Sequence, residues 1–379
     1  MSTFLTCNEI AKEALARLQS NLVLGNLVNR NYDNEFSHKG AIVQVKKPAT
    51  FTATGFSSTT APEAIEEAPV NVTLDTIADV SVEVTSKEMT LNVADFGTQV
   101  LEGMMQAIAQ KIDTKIAGLY KDIPYFHGLG DATPDGLDDI SGCMKLLNQN
   151  KAPFPMRQIV LNATAHAGLS VLDAIVGVDK SGSPMALREA SMGKLLGLES
   201  YIDQNIAEHT RGTFVEASGN IVCSASAAAT TVKLTNASCT GTLLIGDAIK
   251  VTTTTGKVSY HVVTANASSG TNDIDIAIYP AVPYTWTAAI VLINGKALNT
   301  SPVYSNSLAF HKDAFCLAVR PMALPIGGAQ GAIINYNGLA IRVTYGYDMA
   351  TKKNLMSADC LFGVKTLSAE RCVRLLGNR

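Results

Sequence analysis

Charge is scarce in this chain. Only 17% of its 379 residues are charged, against about 25% in an ordinary soluble domain. Composition alone leaves two readings of that shortfall open: surface buried between subunits, or a β-rich surface built from Ser and Thr. The net charge of −3 gives no global basic field, so any contact with nucleic acid would need a local patch. Cysteine pairing is missing too. The seven cysteines (Cys7, Cys143, Cys223, Cys239, Cys316, Cys360, Cys372) are scattered and odd in number, with no C-x-x-C among them. That excludes a disulfide framework and a zinc site of ordinary spacing, and fits buried thiols in a reducing compartment. No apolar run approaches the ~18 residues of a membrane span. Met1 to Cys7 lacks the basic and apolar regions of a signal peptide, so the expectation is a protein made and used in a cytoplasm.

Reactive constellations are absent as well. The six histidines (His38, His127, His166, His209, His261, His311) stand far apart and form no ligand spacing such as H-E-x-x-H. Gly241-Thr-Leu-Leu-Ile-Gly246 has the glycines of a phosphate loop, but Asp247 and Ala248 stand where Lys and Ser/Thr would have to be. Those glycines therefore read as β-turn residues. Gly327-Gly-Ala-Gln-Gly331 reads as a flexible loop, and no G-x-S-x-G elbow occurs. The carboxylate pairs Asp138/Asp139, Glu66/Glu67 and Asp273/Asp275 read as solvated loop charge or intersubunit ion pairs rather than catalytic pairs. The expectation is a protein that is not an enzyme and holds no cofactor and no metal.

What is present is apolar patterning over most of the length. Residues 8–24 place Ile10, Ala14, Leu18 and Leu22 on one helical stripe, with Asn8 as N-cap and Gly25 as stop. From Ile42 to Val84 the period changes to two. Ile42-Val-Gln-Val-Lys-Lys, Val70-Asn-Val-Thr-Leu-Asp-Thr and Val80-Ser-Val-Glu-Val-Thr alternate around an acidic turn with Glu63, Glu66 and Glu67. This predicts two long arms of a β-hairpin, which cannot bury itself and must lie on something. Over about 93–121, Phe96, Val100, Met104, Ile108, Ile112, Ile116 and Leu119 predict one long helix with a single buried face, stopped at Pro124.

Residues 135–205 read as α/β: a helix over Gly136–Gln149, a strand at Arg157–Asn162, a helix capped by Asn162, another from Pro184 through Leu196, then a strand near Ile202. Residues 213–300 carry eight charges and are dominated by Thr, Ser and Val between glycines, which predicts a small all-β barrel or sandwich inserted into the rest. The C-terminal part is strand-rich, in Ala340-Ile-Arg-Val-Thr-Tyr-Gly-Tyr and Asp359-Cys-Leu-Phe-Gly-Val-Lys-Thr-Leu, and ends in a basic tail with Lys365, Arg371, Arg374 and Arg379. That tail either meets nucleic-acid phosphates or is a solvated terminus. Lys46 and Lys47 on the arm read as a nucleic-acid contact, a salt bridge to a neighbouring subunit, or a solvated strand face.

This order of elements resembles the Hong Kong 97 type fold of tailed-phage and herpesvirus shells. Glu83-Val-Thr-Ser-Lys-Glu-Met-Thr-Leu through Ala94-Asp-Phe is similar to the arm-to-spine junction of such coat proteins. Leu308-Ala-Phe-His-Lys-Asp-Ala-Phe with Val319-Arg-Pro-Met is similar to the passage returning from the capsomer tip, and Ile341-Arg-Val-Thr-Tyr-Gly-Tyr-Asp to a peripheral strand. Gly246-Asp-Ala-Ile-Lys-Val and Ile274-Asp-Ile-Ala-Ile-Tyr-Pro-Ala-Val resemble the insertion domain of the Salmonella podovirus coat-protein family.

The resemblance implies an α+β fold with seven segments: an N-terminal arm helix (1–34), an extended β-arm (35–90), the spine helix with part of a peripheral domain (91–134), an axial domain (135–212 and 301–338) interrupted by an inserted β-barrel (213–300), and peripheral strands (339–379). It implies a structural protein, the major capsid subunit of a tailed double-stranded DNA phage, assembled in a bacterial cytoplasm and ending in the virion. Its implied partners are itself, in pentamers and hexamers of an icosahedral shell, a scaffolding protein, a portal protein, and packaged DNA held non-specifically, with no membrane. Symmetric assembly would cover each arm with the next subunit. Candidate contact residues between subunits are Lys46, Lys47, Phe51, Phe56, Glu66, Glu67, Asp273 and Asp275. The alternative with the same fold is an encapsulin, a cellular shell around enzyme cargo.

Overall fold

The computed structural model describes residues 7–30, 42–46, 69–85, 96–128, 132–182, 185–216, 221–235, 239–270, 273–293, 303–325, 330–350 and 353–378. The chain divides into two compact units, each assembled from separated stretches.

The first unit comprises Met1–Leu22, Asn29–Ile112 and Phe315–Leu367. Its N-terminal helix, Cys7–Asn21, buries Ala11, Ala14, Leu15 and Leu18 along the stripe that the sequence marks. That face packs on a hairpin of Gln330–Tyr336 and Leu339–Asp348. The hairpin turn is Asn337-Gly338, both at positive φ, the geometry that a two-residue connection between twisted strands requires. A Cβ at Gly338 would stand 2.9 Å from Cβ of Arg30, so position 338 has space for glycine alone. Arg17 joins the helix to the long helix by pairing with Glu13 at 2.7 Å and Glu102 at 3.0 Å.

The sheet of this unit has five strands. Its longest, Lys353–Thr366, pairs antiparallel with Phe315–Arg320, with Leu339–Asp348 and with Thr76–Thr85. The last pairing corrects the expectation of a hairpin running to Val84. The arm strands are Ile42–Lys46 and Pro69–Thr73, with Val43 opposite Val72. The third alternating run belongs to the sheet, where Thr85 faces Lys353 and Thr76 faces Phe362. Period two identifies a strand but not its partner.

The arm also finds cover at its base within its own chain, contrary to expectation. Val43, Val45, Val72 and Leu74 are buried against Cys316, Ala318 and Leu367. Gly363 permits this closeness: a Cβ there would come within 2.2 Å of the Thr73 carbonyl oxygen.

The long helix is Phe96–Ala117, followed by a 3-10 turn at Gly118–Asp122. Leu101, Met104, Met105, Ile108, Ala109, Ile112 and Ile116 form its buried face. The unit boundary falls within it, between Ile112 and Asp113.

The second unit comprises Val23–Val28, Asp113–Ala314 and Ser368–Arg379. Its sheet is built around Val303–His311, flanked antiparallel by Cys372–Gly377 and Arg157–Leu161. Leu198–Ile202 runs parallel to Arg157–Leu161. Helices Leu137–Gln149 and Ala163–Ser170 cover one face, packing Ile140, Cys143, Leu147 and Leu169 on Ile159, Leu161, Val373 and Leu375. Asn162 caps the second helix through the Ala165 amide at 2.9 Å. The expected helix up to Leu196 is instead a single turn, Met185–Glu189, followed by the short strand Lys194–Leu195. Ala190, Gly193, Leu196 and Gly197 all sit at positive φ, which ends the helix and turns the chain into the sheet.

Within this unit lies a closed six-stranded barrel. Around it run Ile221–Ala225, Thr231–Thr235, Asp273–Tyr279, Val258–Val263, Ala248–Thr252 and Trp286–Ile293. Val232, Leu234, Ile274, Ile276 and Ile278 point inward, and the residues between them are more exposed. Gly241 and Gly246 take positive φ in its turns, the role their spacing suggests.

Candidate assembly surfaces

The arm base offers one face outward. Ile42, Gln44, Asn71 and Thr73 are exposed on the side opposite the buried valines. Lys46 ends the first arm strand, opposite Pro69. Lys47, Phe51, Phe56, Glu66 and Glu67, which the sequence singles out, lie outside the described residues, as does the acidic turn.

Asp273 and Asp275 are brought together on an outer face of the barrel. Strand register sets Asp275 opposite Lys233, whose Nζ lies 2.9 Å from Asp273 and 3.9 Å from Asp275. The hydrogen bond to Asp273, with the charge of both carboxylates, raises the Lys233 pKa. These aspartates thus have a cation in their own chain. Asp139 belongs to the first turn of its helix: its Oδ2 accepts the Gly136 N–H at 3.3 Å, and burial raises its pKa.

Exposed apolar side chains occur on the second unit. Phe154 is 71% exposed and Met156 63%, on a turn in which Lys151 and Met156 both take positive φ. Arg157 fixes that turn from below. Its guanidinium donates to Asn148 Oδ1 at 2.7 Å and to the Pro153 carbonyl at 2.8 Å, and stands 4.4 Å from the Phe154 ring centroid. Val171 and Leu187 are exposed nearby in sequence. Large apolar groups held rigidly in water are the ordinary material of a protein–protein contact.

The polar groups that the sequence did not reveal are buried. His209 Nε2–H donates to Asp247 Oδ1 at 2.9 Å, and Nδ1 takes the Tyr120 O–H at 2.8 Å. Asp247 also accepts from the amides of Leu244 at 2.8 Å and Gly212 at 3.3 Å. Arg374 donates from Nη1 to the Gly246 carbonyl at 2.8 Å, beneath the Tyr120 ring at 5.8 Å. Burial pushes the Tyr120 hydroxyl up to about 12 and lowers the Arg374 pKa. The order Tyr–His–Asp has the form of a catalytic relay, but all three side chains are buried. A cluster closed to water and substrate instead ties the turn before a barrel strand to the sheet and to the end of the long helix.

Arg374 therefore departs from the basic-tail reading: it faces inward on a strand whose six residues are all buried. Arg371 pairs with Asp313 at 3.5 Å, Lys365 is exposed, and Arg379 lies outside the described residues. Asp113 is a second missed residue. It is 1% exposed and accepts the backbone N–H groups of Val23 at 2.9 Å and Gly25 at 2.8 Å. Burial pushes its carboxyl up to about 7.

Among the described residues no group of His, Cys, Asp and Glu could hold a metal ion. No helix among them is long and apolar enough to cross a membrane.

No protein-family model matches the chain, and its sequence matches no curated protein. Solved structures do match. A chain of Mycobacterium phage Che8 aligns over 93% of this chain and 90% of its own, at 15% identity and a TM-score of 0.52. A capsid chain of Ralstonia phage GP4 covers 93% and 87% at 7% identity and TM-score 0.48. One from the cyanophage P-SCSP1u covers 94% and 88% at 10% identity and TM-score 0.47. The first alignment shows a shared fold over nearly the whole chain; the other two, looser, add no weight to it.

Proposed function

We propose that this chain is the major capsid subunit of a tailed double-stranded DNA phage, with a Hong Kong 97 type fold and an inserted barrel like that of the Salmonella podovirus coat proteins. The observation that carries this reading is the alignment with a phage chain over 93% of the length. It spans both units, so the likeness is not that of one common module.

The physical features fit a shell subunit. The low charge content matches a surface that is partly covered in an assembly. The outer face of the arm base and the rigid Phe154 turn supply contacts for neighbouring copies, in pentamers and hexamers that close an icosahedral shell. The arm residues Lys47, Phe51, Phe56, Glu66 and Glu67 are assigned to those contacts, together with Lys46, Asp273 and Asp275. A scaffolding protein, a portal and non-specifically held DNA complete the set of partners, with assembly in the host cytoplasm.

Electron microscopy of the expressed chain, with and without a scaffolding partner, tests the reading. Shells or capsomer rings are expected, with DNA in mature particles. A stable monomer at high concentration under both conditions overturns it, and particles filled with a cargo enzyme would assign the chain to cellular shells instead.

A further inference from the structure

The barrel interior is mostly aliphatic, interrupted by Cys223, Ser259, His261 and the Trp286 ring. His261 is 1% exposed and faces inward opposite Ile249. Its Nδ1–H donates to the Pro280 carbonyl at 2.8 Å. Its Nε2 has no hydrogen-bond partner, and neither has Nε1 of Trp286, whose ring meets the imidazole edge-on with centroids 5.0 Å apart. Both rings line a cavity of about 10 Å³ together with Val232, Ile249, Ile276 and Ile278.

The charged groups of the surrounding strands stay off this cavity. Lys233, Lys250, Asp273 and Asp275 alternate with the inward residues and point outward. The other titratable groups on the inner side are Cys223, whose thiol burial pushes up to about 11, and the Tyr284 hydroxyl. No carboxylate among the described barrel residues faces the imidazole.

We propose that protonation of His261 opens the barrel, making this module of the chain responsive to mild acid. With Nδ1–H committed to Pro280, an incoming proton must go to Nε2. That places a cation in a cavity lined by aliphatic side chains and the Trp286 ring, where Nε2 has no hydrogen-bond partner and no carboxylate faces it, which costs far more than leaving it in water. Burial accordingly lowers the His261 pKa. The folded barrel binds fewer protons than the open one, so its stability is complete above the unfolded value of 6.5 and is lost as pH falls through and below it. The inference stands on the barrel alone and holds whether or not the chain forms a shell.

Trp286 is the only tryptophan in the sequence and touches the imidazole, so it reports on this event directly. The experiment follows its emission in the full chain from about pH 7.5 to about pH 5, with hydrogen exchange read by mass spectrometry on the same samples. The expected result is a red shift of the emission, with exchange across 221–293 faster by about tenfold or more after correction for intrinsic rates. Exchange across 315–367 should hold steady. His261→Gln, neutral at every pH, should abolish both changes. The proposal is overturned if exchange across 221–293 stays as slow at the acid end, or if the variant responds as the natural chain does. Should the variant fail to fold, the wild-type exchange map decides: loosening confined to 221–293 supports the proposal, and loosening spread evenly over the chain overturns it.

Discussion

Arg374, on the last strand, holds the carbonyl of Gly246 from a position wholly out of water. That contact joins the C-terminal strand to the turn that opens a barrel strand 128 positions earlier. Losing the guanidinium would leave the Gly246 carbonyl without this donor and remove the cation beside Asp247, a coulombic neighbour of Arg374. We expect Arg374→Ala to cost about 3–5 kcal/mol, read as a lower urea midpoint for the whole chain. Arg374→Lys should recover only part of that, since an ammonium lacks the planar fork. An unchanged midpoint for the alanine variant would show the cluster to be dispensable.

Asp113 predicts a pH dependence of opposite sign to that of His261. Its folded pKa, about 7, lies above the ordinary carboxyl value of 3.8. Between those values the folded chain holds a proton that the unfolded chain has released. Its contribution therefore favours folding more as pH falls from above 7 toward 4, and is lost as pH rises through about 7. Asp113→Asn sets an amide against the Val23 and Gly25 N–H groups and should lower stability at every pH. The difference between natural chain and variant should widen in acid. Because His261 is common to both, it cancels from that difference, and a flat difference between pH 4 and pH 8 would refute the assignment.

The arm can be cut only where it does not serve the subunit itself. Removing residues 45–75 would take Val45, Val72 and Leu74 off Cys316, Ala318 and Leu367, and should give poorly folded chain. Removing 47–68 spares these contacts and should give a folded subunit that does not close shells. Circular dichroism and electron microscopy of the two deletions separate the roles. Shells of ordinary size from the shorter deletion would end the case for the arm as an assembly element.

Gly363 predicts a packing defect of a specific kind. Alanine at this position brings a methyl to within 2.2 Å of the Thr73 oxygen, so the arm strand must lift from the sheet. We expect Gly363→Ala to cost roughly 1–3 kcal/mol, with faster hydrogen exchange over 69–73 as the local sign. Protection equal to that of the natural chain would place the close approach elsewhere.

Asp273 and Asp275 already share Lys233, so the pair is not needed to hold the barrel. Lys233→Gln should leave the melting temperature of the isolated subunit where it is, because exposed ion pairs add little. If assembly then fails, the same charges act across a contact between copies; if assembly is normal, they have no such role.

Much of the fold is legible in the sequence, for reasons particular to each element. Ala11, Ala14, Leu15 and Leu18 mark a helix face because burial repeats with the helical turn. Val232, Leu234, Ile274 and Ile276 mark barrel strands because one side of each is dry. The partner of Thr76–Thr85 is not legible, since alternation is the same whether a strand pairs with its neighbour or with one far along the chain. Arg374 and Asp113 escape for another reason. Charged types are assigned to the surface by default, and only tertiary structure shows that a carbonyl and two amides await them. The candidate contact residues fared unevenly: Asp273 and Asp275 come together, Lys46 is placed at a strand end, and the other five lie outside the described residues.

The pairing of Thr76–Thr85 with Lys353–Phe362 also sets a timetable. Glu83 and its partner Lys353 are 270 positions apart. A ribosome adding about 5–20 residues per second leaves the earlier strand waiting on the order of ten seconds to a minute. For that interval the nascent chain carries an apolar, alternating segment with no complement yet made. The second unit, whose stretch Asp113–Ala314 is synthesised meanwhile, can begin to organise before the first has its sheet. Newborn copies crowded on one message would present these unpaired strand edges to each other until the C-terminal strands emerge.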